Sequence, residues 1–177
     1  MIKTLICSIG IFVSLSIQAQ EKINPVIKNF GGIYDIPEAT VKADPEAEYK
    51  VIIDVVSGAS DPKEIAWGLK NVARMINLHA VSGADISKMK VVLAIHGPVA
   101  YTIMKNSAFK DRFGTDNPNI ALIKELKDAG VKLAVCGQSL IGREIPVKKV
   151  LPEVEIATSM LTTVTTYQLK GYVLLKF

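Results

Sequence analysis

The sequence predicts a three-layer α/β domain with a mostly parallel, five-stranded sheet, on three observations. Short apolar runs recur along the chain, YKVIIDVV (Tyr49 to Val56), KVVLAI (Lys90 to Ile95) and VKLAVC (Val131 to Cys136). They are nearly continuous and rich in β-branched residues, as strands buried on both faces require. Segments of helical periodicity separate them, and each crossover must return the chain to the same sheet edge, which makes the strands parallel.

The first twenty residues, MIKTLICSIGIFVSLSIQAQ, combine Lys3, an apolar run from Leu5 to Ile17 and a small-residue end at Ala19. This is the pattern of a secretory signal peptide, so residues 1–20 are set apart from the fold and the protein is expected to be exported, to the periplasm. The run is shorter than the ~20 residues that span a bilayer, and no integral membrane segment is expected after cleavage. Cleavage would lower the formal charge from +4 to +3 by removing Lys3, and would take away Cys7, leaving Cys136 alone. A single cysteine cannot close an internal disulfide. It is free, bonded to another molecule, or buried and inert.

Residues 21–48 read as an extended arm, punctuated by Asn24-Pro25, Gly31-Gly32, Ile36-Pro37 and Asp44-Pro45. Its isolated apolar residues (Val26, Ile27, Phe30, Ile33, Tyr34) suit packing on the domain or on a neighbouring subunit. Residues 49–177 form the single domain. After its first strand, Ser60-Asp61-Pro62 supplies a helix start with Glu64 in the first turn, and Ile65, Leu69, Val72 and Ile76 line one face. Trp67, Asn71 and Met75 run beside that face and read as packing, in the core or against a subunit. A short helix carrying Val99, Ile103 and Met104 follows His96-Gly97-Pro98. Asn117-Pro118 opens another, with Ile120, Ile123 and Leu126 inward and Gly130 at its end. VEIA (Val154 to Ala157) is a short strand. In the tail, Leu161, Val164 and Gln168 share a helical face, Gly171 ends that helix, and YVLLKF is the last strand.

Parallel topology places the carboxyl ends of the strands on one side, where open α/β sheets bind ligands. Three strand exits share a pattern of a polar or reactive residue followed by glycine: Ser57-Gly58, His96-Gly97 and Cys136-Gly137. Glycine lets the backbone turn sharply and approach a ligand. If Gly137-Gln138-Ser139 begins a helical turn, free backbone N–H groups near Cys136 lower its thiol pKa and make it a nucleophile. The alternative is that Cys136 is the last core residue of its strand, as free cysteines often are. His96 can move a proton at physiological pH or bond a loop carbonyl, His79 sits where a helix end favours a cation, and Arg143 is a candidate for holding an anion.

Other chemistries are demoted. Basic residues are scattered, Lys148 and Lys149 being the one adjacent pair, and lack interleaved aromatics, so nucleic acid is not an expected partner. Two histidines and one lasting cysteine, with no CxxC or HxxxH spacing, do not suit a metal site, and no metal or organic cofactor is expected. There is no glycine-rich phosphate cradle after a strand and no G-x-S-x-G elbow.

The order of DVVSGA, VVLAIHGPVAYTIM, NPNIALIKELKDAGVKLAVCGQSL and MLTTVTTYQLKGYVLLKF resembles the DsrE/DsrF-like sulfur-relay family, specifically its exported members, over Tyr49 to Phe177. The resemblance implies a flavodoxin-like fold, assembly into homo-oligomers (trimers or hexamers), and a persulfide carried on Cys136 with His96 nearby. Its partners would be a sulfur donor and an acceptor thiol. The expected function is therefore an exported sulfur-handling protein, a carrier or sulfurtransferase-like relay whose site comprises Cys136 with His96, Gly97, Ser57, Gly58, Gly137 and Gln138. The alternative is a non-enzymatic ligand-binding or assembly module in which Cys136 is structural. A third reading gives Cys136 an intermolecular disulfide.

Overall fold

A computed structural model describes residues 20–177; the signal-peptide reading, apart from Gln20, and Cys7 lie outside the described residues. Five strands form one sheet: β1 (Lys50–Val55), β2 (Lys90–Ile95), β3 (Lys132–Cys136), β4 (Glu155–Ala157) and β5 (Val173–Lys176), in the order β4-β3-β2-β1-β5, every pair parallel. The three apolar runs are the three inner strands. Beyond its first residue, each is almost wholly buried, because helices cover both faces.

Alternation along these strands divides the core in two. Val51, Ile53 and Val55 of β1, Leu93 and Ile95 of β2, and Leu133 and Val135 of β3 face α1 (Trp67–Val81), α2 (Asn106–Phe113), α3 (Ile120–Asp128) and α4 (Gly137–Gly142) in one large cluster. Ile52, Val92 and Ala94 face the other way, onto Val164, Met160 and Tyr167 of α5 (Met160–Leu169), with Tyr172 beside them. One face thus carries four helices and the other, among the described residues, carries one.

Several boundaries differ from expectation for local reasons. Ser60-Asp61-Pro62 does not start α1. The Asp61 carboxylate accepts the Lys63 N–H at 2.8 Å in a turn of its own, and α1 begins at Trp67. Glu64 therefore lies before the helix, Ile65 is half-buried, and Trp67 is 54% exposed rather than core. The segment after His96 is a 3-10 helix, Gly97–Ile103. Asn117 is a staple, not a cap. Its amide donates to the carbonyls of Thr102 and Met104, both at 2.8 Å, and α3 starts at Ile120. Asn106–Phe113 is a helix that the sequence did not announce. In α5 the inward residues are Met160, Val164 and Tyr167; Leu161 and Gln168 face solvent.

The arm lies on α1. The buried Asn77 side chain accepts the N–H groups of Val26 and Ile27 at 3.0 and 2.9 Å, and donates to the carbonyls of Phe30 and Gly31 at 3.0 and 3.1 Å. Ile27 and Ile33 are buried beneath it. Gly31, at φ +68°, passes so close to the α1 backbone that a Cβ would stand 2.4 Å from the Arg74 nitrogen. A side chain there would lift the arm away.

Candidate functional site

Four polar side chains stand in a row across the carboxyl end of the sheet, one from each of β3, β2, β1 and β5. Asp54 pairs with Ala94 on one side and Lys176 on the other, which sets all three on the α5 face. His96 continues β2 in extended backbone (φ −153°) and is two residues past Ala94, so its ring points to the same face. Ile95 pairs with Val135, which puts His96 and Cys136 next in register on strands about 4.8 Å apart. The row reads Cys136, His96, Asp54, Lys176.

Asp54 is 7% exposed, and a buried carboxylate must be paired to stay ionised. His96 Nε2 lies 2.5 Å from Asp54 Oδ1, and Lys176 Nζ lies 3.5 Å from Oδ2. With Nε2–H donated to the carboxylate, Nδ1 is the ring nitrogen left for other contacts. The acid fixes the tautomer and orientation of the base.

Cys136 ends β3 and precedes the first turn of α4. It is 6% exposed, so the sulfur is more enclosed than an edge position suggested. Burial, the largest single effect, pushes the thiol pKa up. The Ser139 hydroxyl and the main-chain N–H groups of Met160, Ser139 and Gln138 face the sulfur and together outweigh it, so the pKa is held below the ordinary thiol value. Ser139 is itself held in place. Its Oγ accepts the Gly97 N–H at 3.1 Å, which leaves the hydroxyl proton free to donate elsewhere. Arg143, partly buried, donates from Nε to the Gly97 carbonyl at 2.5 Å and stacks 5.6 Å from the Tyr101 ring.

Of the three glycines at the strand exits, two are required by the structure, each for its own reason. Gly97 takes φ +60°. Gly137 is needed because a Cβ would stand 2.9 Å from the Ala157 carbonyl oxygen, so the close approach is to the neighbouring strand end and not to a ligand. Gly58 has ordinary backbone and open space around it. Ser57 and Gly58 are at the expected edge but away from the sulfur. The Ser57 carbonyl accepts the Gly68 N–H at 2.9 Å, and Gly58 lines a separate cavity of about 190 Å³ with Tyr101, Phe109 and Asn119. Gln138 contributes its N–H, while its exposed side chain reaches the Thr158 carbonyl at 3.5 Å.

Asp54, Lys176 and Ser139 were not singled out from sequence. Asp54 had a signal, since it is the one acid inside an otherwise apolar buried run, VIIDVV. Among the described residues there is no group of three or more His, Cys, Asp or Glu that could hold a metal ion, and no helix is long and apolar enough to cross a membrane.

Comparison with known proteins gives fold and family. No curated protein matches the sequence. A solved protein of unknown function from Methanobacterium thermoautotrophicum is similar in fold, with 14% identity and a TM-score of 0.54, over 73% of this chain and 99% of its own. The ychN protein of E. coli aligns with 22% identity and a TM-score of 0.46, over 72% of this chain and 99% of its own. The family model for DsrE/DsrF-like proteins matches residues 50–177, from the first strand to the end of the chain, and takes in every member of the row. This chain belongs to the DsrE/DsrF-like family.

Proposed function

We propose that the protein carries sulfane sulfur as a persulfide on Cys136, as an exported sulfur-handling protein. The observation that carries this reading is the convergence of the Ser139 hydroxyl and the N–H groups of Met160, Ser139 and Gln138 on one sulfur, which favours its anion against the cost of burial. Membership of the family supports a sulfur-relay type of function. In the loading step the Cys136 thiolate attacks the outer sulfur of a donor persulfide, R–S–SH. A bond forms between Cys136 Sγ and that sulfur, the donor S–S bond breaks, and its electron pair leaves on R–S⁻. His96, when protonated, supplies a proton to the leaving thiolate, and Asp54 steadies the charged ring. Transfer to an acceptor thiol repeats the exchange, with no outside oxidant or reductant.

Homo-oligomeric assembly belongs to the same proposal. It is supported by the apolar surface that α5 and β5 leave in solvent at Leu161, Leu169, Val173 and Leu174. Sedimentation velocity should give a mass of several protomers, and Leu169→Asp should lower it. A monomer at all concentrations would refute assembly.

The test of the chemistry is mass spectrometry of the folded protein after exposure to polysulfide. One added sulfur on Cys136, absent in Cys136→Ser, is expected, and an unmodified thiol would refute the reading. A second reading, a non-enzymatic ligand-binding or assembly module with a structural cysteine, is favoured by the 6% exposure of Cys136. Labelling with a thiol reagent separates the two: reaction only in denaturant supports the module, and rapid reaction of the folded protein at neutral pH supports the carrier.

A further inference from the structure

The arm builds a second feature at the opposite edge of the sheet. It is anchored on the domain at two places. Ile23 and Ile33 pair in a two-way bridge above Asn77, and the Ala43 N–H donates to the Ser82 side-chain oxygen at 2.8 Å and to its carbonyl at 3.2 Å. Between those anchors, residues 34–42 make one backbone-to-backbone bond, Ala39 N–H to the Ile36 carbonyl at 3.0 Å; the Asp35 carbonyl accepts from the Gln20 side chain, and no backbone bond reaches α1. The arc stands off the end of α1 and encloses a cavity of about 450 Å³, in the size range of small-molecule sites. Tyr34, Ile36 and Val41 on the arc and Leu78 on α1 line it, and they remain 48, 61, 90 and 40% exposed. Apolar side chains left in solvent around a concavity mark a place where something binds.

The polar groups in the wall narrow what that is. Lys42 and Asp35 contribute one charge of each sign, so the rim has no net bias toward an ion. The remaining polar groups offer hydrogen bonds. Tyr49 Oη accepts the Asp44 N–H at 2.8 Å, which leaves its own proton free to donate. His79 Nδ1 lies 2.8 Å from the Met75 carbonyl and donates to it, which fixes the ring and leaves Nε2 for another partner. An ionised ligand would lose its hydration against a wall of no net charge, whereas an apolar molecule with a carbonyl or hydroxyl would satisfy the wall. We propose that the cavity between residues 34–43 and the end of α1 binds an uncharged, largely apolar small molecule bearing a hydrogen-bonding carbonyl or hydroxyl. The site is independent of the sulfur chemistry: most of its lining precedes the residues that match the family, and it lies at the edge opposite Cys136.

The test is fluorescence titration with Nile red, an uncharged apolar dye with a carbonyl, on the folded protein. Saturable one-to-one binding is expected, weakened about tenfold by Leu78→Asp and by Val41→Asp, the loss that about 1.4 kcal/mol of apolar contact represents. Val41 is 90% exposed, so its replacement keeps the fold, and circular dichroism checks both variants. Leu169→Asp and Cys136→Ala should change the affinity by less than about twofold, as substitutions elsewhere do. Absence of saturation, insensitivity to both Leu78→Asp and Val41→Asp, or loss of binding through Leu169→Asp would each overturn the proposal. So would tighter binding at this place of anilinonaphthalene sulfonate, which is apolar but anionic.

Discussion

At the scale of single residues, Cys136 is decided by a contest between hydrocarbon and hydrogen-bond donors. The donors win, so the folded pKa lies below that of the unfolded chain. The linked stabilisation is fully present above the unfolded thiol pKa and is lost as pH falls through the folded one. The stability gap between wild type and Cys136→Ala should accordingly widen as pH rises toward the unfolded thiol pKa of about 8.5 and level off above it, measured by urea unfolding at each pH. Ser139→Ala removes one donor from the sulfur, and the pH midpoint of thiol labelling should move up; an unchanged midpoint would mean the hydroxyl does not serve the thiolate. Asp54 acts through His96. Asp54→Asn keeps the shape of the pair but removes the carboxylate that accepts from Nε2 and orients the ring, so persulfide formation should slow by about tenfold or more and its pH profile should change shape. A drop in amplitude with no change in profile would give Asp54 a structural role alone.

The elements show which parts of this were legible beforehand. The inner strands and α3 could be read because their apolar residues repeat with a period that only one arrangement buries, as Ile123 and Leu126 illustrate; Leu122, outside the expected face, is buried too, and Ile120 only half-buried. The start of α1 could not, since an aspartate before a proline makes the same hydrogen bond in a free-standing turn as it does at a helix cap. NSAFKDRF buries only Ala108 and Phe109, with Phe113 partly covered, too little pattern to distinguish α2 from a loop. In the row at the sheet edge, Cys136 and His96 stood out as chemistry-bearing types, whereas Asp54 shows in sequence as an acid inside an apolar run and gains its partner only when register sets it beside an imidazole. Gly137 and Gly58 look alike in sequence and should behave oppositely. Gly137→Ala drives a methyl against the Ala157 carbonyl and should cost about 1–3 kcal/mol, while Gly58→Ala, in open space, should change stability little or raise it by up to about 1 kcal/mol. Thermal melts of the two variants would show it.

Across the whole molecule, Asn77 of α1 is the main polar anchor for the first half of the arm. Asn77 satisfies main-chain groups of four arm residues, and no apolar substitute can do so. Asn77→Leu should strip those bonds and strand buried peptide groups, a loss of about 1–3 kcal/mol for each uncompensated group. Limited proteolysis should then cut between residues 25 and 45 in the variant before it cuts the domain. The five-stranded core should survive, since its larger cluster is made almost wholly of residues beyond the arm.

The lopsided dressing of the sheet has a last effect. The helix that, among the described residues, alone shields one face also lends its leading amide, at Met160, to the thiol. Acidity at position 136 thereby becomes a gauge of seating: whatever lifts that helix, be it a neighbour, a ligand or heat, weakens the acid and quiets its reactivity at the same moment.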